Sequence, residues 1–137
     1  YGDILTNMNL SGLLRRHREV DAASTVVLSR GFVVRVGVAN LEEDGRILGF
    51  QEKPKLEKPV SIGILTLDGK FLEEIENFKG EKTELDIMGD VIPYLIGTGR
   101  RVYGYITDAF WYDVGSIEAY EKLDTDMVDR VFSYLYE

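Results

Sequence analysis

The sequence contains no cysteine and one histidine, which excludes disulfides, thiolate nucleophiles and cysteine-based metal sites. Long apolar runs are also missing. None approaches the ~20 residues that a membrane-spanning helix needs, which predicts no membrane partner and favours a cytoplasmic location. Basic residues are few, with 16 Lys and Arg against 24 Asp and Glu and a net charge of −8. This balance predicts no nucleic-acid partner, because sequence-independent affinity comes from Lys and Arg, although a small anion could still bind locally.

The order of the predicted elements is typical of one α/β domain. At 137 residues and 45% hydrophobic content, the chain is long enough for a single core. Apolar spacing predicts strands at 24–29, 32–39, 47–52, 60–67 and 101–106, and helices at 10–20, 70–78, 86–96, from Ser116 onward and at 127–136. We therefore predict an α/β fold, a Rossmann-like mixed sheet with flanking helices and an inserted β-hairpin.

Three local features of these elements are also predicted. The nearly continuous apolar run 60–67 is expected to be the best buried strand. Asp44-Gly45 predicts a tight primed turn between the two hairpin strands. His17 lies among arginines on the outer side of the first helix and is expected to be solvated.

Two aspartates stand beside glycines at expected strand ends. Residues 111–115 read Trp-Tyr-Asp-Val-Gly, and Gly2-Asp3 opens the chain, so a ligand could approach each carboxylate closely. Ligands of α/β sheets bind beyond the carboxyl ends of strands, where both aspartates should lie. Because Mg²⁺ binds protein through one or two carboxylates and leaves its other positions to water and phosphate, Asp3 and Asp113 predict a magnesium site. Singly, each aspartate is equally typical of a turn.

A second group of candidates surrounds the hairpin. In Glu52-Lys53-Pro54, the lysine could act as a point charge on a phosphate while the glutamate accepts hydrogen bonds from sugar hydroxyls. The tripeptide alone is more typical of an ordinary exposed strand end. Gly37 and Gly63 lie inside predicted strands, which indicates either a close backbone approach or, more simply, a bulge.

Taken in order, these residues resemble the second half of the sugar-phosphate nucleotidylyltransferases, a family that includes mannose-1-phosphate guanylyltransferase and glucose-1-phosphate thymidylyltransferase. The segments of this chain that resemble the family's motifs are Gly2-Asp3, Gly37-Val38 with Glu43-Asp44-Gly45-Arg46, Glu52-Lys53-Pro54, residues 90–95, and residues 111–115 with Glu118 and Tyr120. Two departures stand out. The family's Gly-rich triphosphate loop is not in the sequence, which predicts a domain truncated at its N-terminus, with residues 1–137 as its C-terminal portion. Ser61 stands where many members carry an asparagine that contacts the sugar.

The resemblance implies an enzyme of nucleotide-sugar biosynthesis. A sugar-1-phosphate oxygen would attack the α-phosphorus of a nucleoside triphosphate, and pyrophosphate would leave. Asp3, Asp113 and Lys53 are implied as the catalytic residues, with Mg²⁺ held by the two aspartates and the sugar phosphate fixed by the lysine. The implied substrate-binding residues are Gly37, Glu52, Lys53, Ser61 and Gly63.

Two other functions remain open from the sequence. One is a noncatalytic sugar-nucleotide-binding or regulatory subunit that keeps this fold to associate with an active partner. For either an enzyme or such a subunit, the protein partner expected is a second copy of the chain or a complementing N-terminal half. The other is an inactive fragment, which would expose apolar surface and self-associate.

Overall fold

A three-stranded mixed sheet forms the centre of the protein. The computed structural model describes residues 2–135. In this sheet β2 (Ser24–Ser29) lies between β5 (Val60–Leu67), to which it is antiparallel, and β6 (Val102–Thr107), to which it is parallel. The central strand is buried along most of its length because it has a neighbour on each side. β5 has one strand neighbour in this sheet and is mostly half-buried, so the prediction that 60–67 is the best buried strand is wrong.

Helices complete two hydrophobic clusters around this sheet. Helix α1 (Leu10–Glu19) contributes Leu13 to a cluster with Val27 of β2 and Ile62 of β5. Helices α2 (Leu72–Lys79) and α3 (Ile92–Gly97) contribute Ile75 and Leu95 to a second cluster with Ala23, which directly precedes β2. α3 follows a π-helical turn at Ile87–Val91, and Pro93 lies in its first turn, where a missing N–H is tolerated.

One polar contact crosses the boundary between helix and sheet. His17 is half-buried in α1, and its Nδ1 lies 2.9 Å from Oγ1 of the fully buried Thr25. The expectation of a solvated His17 is therefore wrong, because the helix turns this side chain toward β2 and supplies the hydrogen-bond partner that a buried hydroxyl requires.

The hairpin forms a separate two-stranded sheet. β3 (Val38–Leu41) and β4 (Ile47–Gln51) pair antiparallel. The predicted strand 32–39 is wrong over most of its length, since before Val38 it contains only an isolated bridge from Val33 to Lys55. Gly37 consequently precedes β3.

The hairpin turn also differs from the prediction. Glu43 and Asp44 are not among the residues with positive φ, whereas Gly45 has φ +89°. The connection is a three-residue turn that ends on a left-handed glycine, so the predicted primed turn is wrong. A glycine at this place satisfies either turn type.

A strand near the start of the chain and one after residue 110 form a third sheet. β1 (Ile4–Thr6) pairs antiparallel with β7 (Trp111–Asp113), with Ile4 opposite Asp113 and Thr6 opposite Trp111. Helix α4 (Ile117–Glu121) follows β7 and is capped by the Ser116 hydroxyl, which accepts a hydrogen bond from the Ala119 N–H at 3.1 Å. This pairing places two motifs from opposite ends of the sequence beside one another.

The last helix is shorter than predicted. α5 spans Thr125–Val131, and a 3₁₀ turn at Ser133–Leu135 follows it; Tyr136, the last residue of the predicted helix, lies outside the described residues. Strands, flanking helices and the inserted hairpin confirm the predicted α/β class. Among residues 2–135, no helix combines the length and apolar character needed to cross a membrane.

Candidate metal and phosphate site

The paired strands β1 and β7 bring Asp3 and Asp113 together. The Val114 N–H donates to the Asp3 carbonyl oxygen at 2.8 Å, which extends the β1–β7 pairing past Asp113. A Cβ built on Gly115 would lie 2.6 Å from Oδ2 of Asp3 and 3.0 Å from Oδ1 of Asp113. The two carboxylates therefore converge over this glycine, in space that any other residue would fill.

The environment of the Asp3 and Asp113 carboxylates favours a bound cation. Oδ1 of Asp3 is buried and has no hydrogen-bond partner, whereas Oδ1 of Asp113 accepts the Gly115 N–H at 2.8 Å. A buried carboxylate oxygen without a donor is unfavourable, and a bound cation would relieve it. Within residues 2–135 no cluster of three or more His, Cys, Asp or Glu side chains is arranged to hold a metal. Two carboxylates fit Mg²⁺, which takes its remaining ligands from water and phosphate.

Three cavities meet at Asp113. The aspartate cavity, about 410 Å³, is lined by Asp3, Arg35, Asp113, Gly115, Ser116 and Ala119. The Lys122 cavity, about 310 Å³, is lined by Phe32, Arg35, Trp111, Tyr112, Asp113, Ser116, Glu118, Ala119 and Lys122. The Ser61 cavity, about 390 Å³, is lined by Ile4, Phe32, Ser61, Ile62, Gly63, Met88, Trp111 and Asp113. Each is large enough for part of a small-molecule ligand.

Ser61 and Gly63 reach the site through a bulge in β5. Gly63 has φ +77°, and the register with β2 shifts between Val26, opposite Leu65, and Leu28, opposite Ser61. The bulge that the sequence left open at Gly63 is therefore present. The Gly63 N–H donates to the Ser61 hydroxyl at 3.3 Å, and both residues line a cavity with Asp113.

Gly37, Glu52 and Lys53 form a second group on the hairpin. A Cβ on Gly37 would lie 2.2 Å from Cζ of Phe50 and 3.1 Å from Oε2 of Glu52, so at this glycine a close approach is present. Nζ of Lys53 lies 4.0 Å from Oε1 of Glu52, and both side chains are exposed. Lys53 has φ +47°, a strained conformation for a lysine. The three cavities at Asp113 do not include this group.

The backbone of residues 32–35 connects the two groups. The Val34 N–H donates to the Pro54 carbonyl at 2.9 Å, and the Leu56 N–H donates to the Phe32 carbonyl at 2.8 Å. Phe32 and Arg35 each line two of the three cavities, and sequence reasoning missed both because it assigned this stretch to a strand. The sequence could have indicated Arg35 through its position two residues before Gly37, which was itself a candidate site residue.

Two further motif residues have structural roles. Asp90 accepts the Asp86 N–H at 3.0 Å, and this backbone hydrogen bond, together with Lys82, lowers the pKa of the Asp90 carboxyl below its usual value. Asp90 thus stabilises the start of the π-helical turn. Glu118 forms an ion pair with Lys122 one helical turn later, at the wall of the Lys122 cavity.

Known proteins of similar sequence indicate the family of the chain. A glucose-1-phosphate adenylyltransferase from Acetivibrio thermocellus is 32% identical over 137 residues, covering 95% of this chain and 32% of that protein. A UTP–glucose-1-phosphate uridylyltransferase from Synechocystis is 32% identical over 132 residues, covering 94% and 34%. The chain thus spans about a third of the length of these curated relatives.

A solved structure shares the fold. HddC from Yersinia pseudotuberculosis superimposes with a TM-score of 0.57 at 18% identity, over 88% of this chain and 50% of that one. The family model described as "Nucleotidyl transferase" matches residues 1–130. The chain belongs to the nucleotidyltransferase family.

Proposed function

We propose that the protein transfers a nucleotidyl group from a nucleoside triphosphate to a sugar-1-phosphate, with this chain supplying the metal site and part of the sugar-phosphate site. The observation that carries the proposal is the convergence of Asp3 and Asp113 over Gly115, with one buried carboxylate oxygen lacking a donor. Family membership supports the reaction class. In the reaction a phosphate oxygen of the sugar-1-phosphate bonds to the α-phosphorus, and the bond to the leaving pyrophosphate breaks.

In this proposal Asp3 and Asp113 hold Mg²⁺. When bound, the ion neutralises charge on the transferring phosphoryl group and orients the reactants. Gly115 keeps space for the two carboxylates, and its N–H holds Asp113 in position through the 2.8 Å hydrogen bond. The protein's task is mainly positioning and electrostatic stabilisation, since no covalent intermediate is required.

The sugar-phosphate side is proposed to involve the hairpin and the β5 bulge. Lys53 would neutralise the sugar phosphate, Glu52 would accept hydrogen bonds from sugar hydroxyls, and Gly37 leaves room beside Glu52. Ser61 and Gly63 border the cavity next to Asp113 and would contact the sugar from the opposite side. The strained backbone of Lys53 supports a functional role, because strain of this kind is concentrated at binding sites.

The sugar we propose to test first is glucose-1-phosphate. Both curated relatives carry it in their names, while one name specifies an adenylyl and the other a uridylyl transfer. The names of the relatives therefore agree on the sugar phosphate and differ in the base of the nucleotide.

The decisive experiment measures pyrophosphate release by the natural gene product with Mg²⁺, each nucleoside triphosphate and a panel of sugar-1-phosphates that begins with glucose-1-phosphate. We expect release that requires both substrates, stops with a chelator, and falls by at least about 100-fold in Asp113→Asn, which removes a metal ligand. Asp108→Asn, an exposed residue on the preceding loop, is the matched control and should retain activity. Absence of release in every combination would overturn the proposal and favour a noncatalytic binding role.

A further inference from the structure

Arg35 lies where the aspartate cavity and the Lys122 cavity adjoin, and it lines both. It belongs neither to the aspartate pair nor to the hairpin group of Gly37, Glu52 and Lys53. Its position beside Asp113 makes it the cation that could reach a ligand shared by both cavities.

The charge of Arg35 is unmatched within the described part of the chain. No carboxylate of residues 2–135 lies within ion-pair distance of its guanidinium. The other cation of the Lys122 cavity, Lys122, is already paired with Glu118. Two carboxylates and a divalent cation would leave this side of the site nearly neutral, so an anionic ligand would find its local attraction in Arg35.

Two backbone hydrogen bonds hold the segment that directly precedes Arg35. Val34, its neighbour, donates to the Pro54 carbonyl at 2.9 Å, and Phe32 accepts from the Leu56 N–H at 2.8 Å. These bonds tie the segment that carries Arg35 to the loop that carries Lys53. The two cations therefore belong to one hydrogen-bonded unit, one on the hairpin side and one on the metal side.

We infer that Arg35 is a phosphate-binding residue, which contacts a phosphoryl oxygen of the same ligand whose phosphate meets the cation at Asp3 and Asp113. A guanidinium is suited to this because its planar fork can donate two parallel hydrogen bonds to one phosphate. The inference rests on the proposed function for the presence of such a ligand. The phosphate can come from the triphosphate or from the sugar-1-phosphate.

The first test is the steady-state kinetics of Arg35→Gln in the natural gene product, with the KM of each substrate measured at saturating concentration of the other. We expect one KM to rise roughly tenfold or more, as for loss of a charge-assisted hydrogen bond, without a change in thermal midpoint. A rise for the triphosphate identifies it as the source, and a rise for glucose-1-phosphate identifies the sugar phosphate. Arg35→Lys, which keeps the charge without the fork, should recover part of the loss.

The second test does not depend on turnover. Calorimetry measures the binding of inorganic pyrophosphate and of glucose-1-phosphate to the natural gene product with Mg²⁺ present, for wild type, Arg35→Gln, Arg35→Lys and the control Arg15→Gln on the exposed side of α1. We expect Arg35→Gln to weaken at least one ligand roughly tenfold and Arg15→Gln to weaken neither.

The two tests separate the inference from the proposed function. If wild type releases pyrophosphate while Arg35→Gln keeps both KM values and both affinities within about twofold, the inference is overturned and the function stands. If wild type releases none but Arg35→Gln still loses ligand affinity, the function fails and the phosphate contact stands. If wild type neither turns over nor binds either ligand, both are overturned.

Discussion

At the scale of single residues, Gly115 shows why a glycine is needed between two carboxylates. A methyl group there would approach Asp3 Oδ2 to 2.6 Å and Asp113 Oδ1 to 3.0 Å, so the side chains would have to separate. We expect Gly115→Ala to weaken Mg²⁺ or Mn²⁺ binding roughly tenfold, as displacement of metal ligands does. Calorimetric titration with Mn²⁺ would measure this loss.

Gly97→Ala is the matched control for Gly115→Ala. No atom lies within 4 Å of the Cβ it would add, and its backbone is not left-handed. It should therefore keep the wild-type metal affinity. Equal metal affinity of Gly115→Ala and wild type would contradict a cation site over Gly115.

Lys53 combines a charge with an unfavourable backbone. Its φ of +47° is disfavoured for a lysine, and it precedes a proline. Asparagine tolerates the left-handed region better, so we expect Lys53→Asn to raise the free energy of unfolding by about 0.5–1 kcal/mol while lowering activity. Urea denaturation and pyrophosphate release measure the two effects.

Lys58 provides a close control for Lys53→Asn. It also precedes a proline, is exposed, and is not among the residues with positive φ. Lys58→Asn should change the free energy of unfolding by less than about 0.5 kcal/mol. A loss of stability in Lys53→Asn would indicate that the lysine side chain, and not relief of strain, dominates at this position.

Sequence reasoning identified the aspartate pair but not what surrounds it. A carboxylate beside a glycine is visible in one dimension, whereas the pairing of Ile4 with Asp113 depends on strands more than 100 positions apart. Arg35 was missed because the composition of its own segment predicts the wrong local structure. Its neighbours Val33, Val34 and Val36 favour a strand by composition, but Val33 and Val34 pair with the Lys53 loop instead of forming a strand.

At the scale of elements, the π-helical turn before α3 depends on two aspartates. Oδ1 of Asp86 accepts the N–H groups of Met88 and Gly89 at 2.8 and 2.9 Å, and Asp90 accepts the Asp86 N–H in return. Such reciprocal capping satisfies donors that the first turn leaves free. Met88 also lines the Ser61 cavity, so the turn shapes the site as well as the helix.

The Asp86–Asp90 pair predicts a pH-dependent stability. The pKa of Asp90 is lowered in the folded state by the Asp86 backbone N–H and then by Lys82. A depressed folded-state pKa gives stabilisation that is fully present above the unfolded value, near 3.8, and is lost as the pH falls through the folded one. We expect Asp90→Asn to have a lower urea midpoint than wild type at neutral pH.

The difference should shrink as the pH drops below about 4, because the unfolded wild-type chain then takes up a proton at Asp90 that the folded chain takes up only at a lower pH. Glu81→Gln, an exposed carboxyl on the preceding loop, is the charge-matched control and should keep the wild-type profile. A gap between Asp90→Asn and wild type that stayed constant down to acid pH would exclude the ionised carboxylate as its cause.

Helices lie close to their predicted positions where the hydrophobic period and a capping residue indicated the same start. Asn9 lies directly before the predicted helix 10–20, and its Oδ1 accepts the Gly12 N–H at 2.9 Å; Ser116, where the next-to-last helix was predicted to begin, caps α4 in the same way. The prediction of a strand at 32–39 was wrong over most of its length because apolar composition does not specify which strand it would pair with. The prediction that β5 is the best buried strand failed because burial depends on how many neighbours a strand has, which periodicity does not report.

At the scale of the whole molecule, the hairpin exposes apolar surface that the central sheet does not cover. β3 and β4 pair only with each other among the described strands, and the cross-strand partners Leu41 and Ile47 are 61% and 60% exposed. Apolar surface of this kind, on a sheet with free edges, favours association. The net charge of −8 opposes it at low ionic strength.

These opposing terms predict self-association of the 137-residue chain that increases with salt. Raising the ionic strength from about 0.01 to 0.3 M shortens the range of repulsion severalfold while leaving apolar contacts intact, so the mass-average molecular weight from light scattering should increase.

The double variant Leu41→Lys/Ile47→Glu keeps the net charge, places opposite charges across the hairpin and should remain monomeric at both salt concentrations. Leu10→Glu/Leu14→Lys makes the same change on the exposed pair of α1 and should associate like wild type. If both double variants associate like wild type, the contact lies elsewhere than on the hairpin; if salt instead disperses the wild-type assemblies, charge pairing and not apolar surface holds them together.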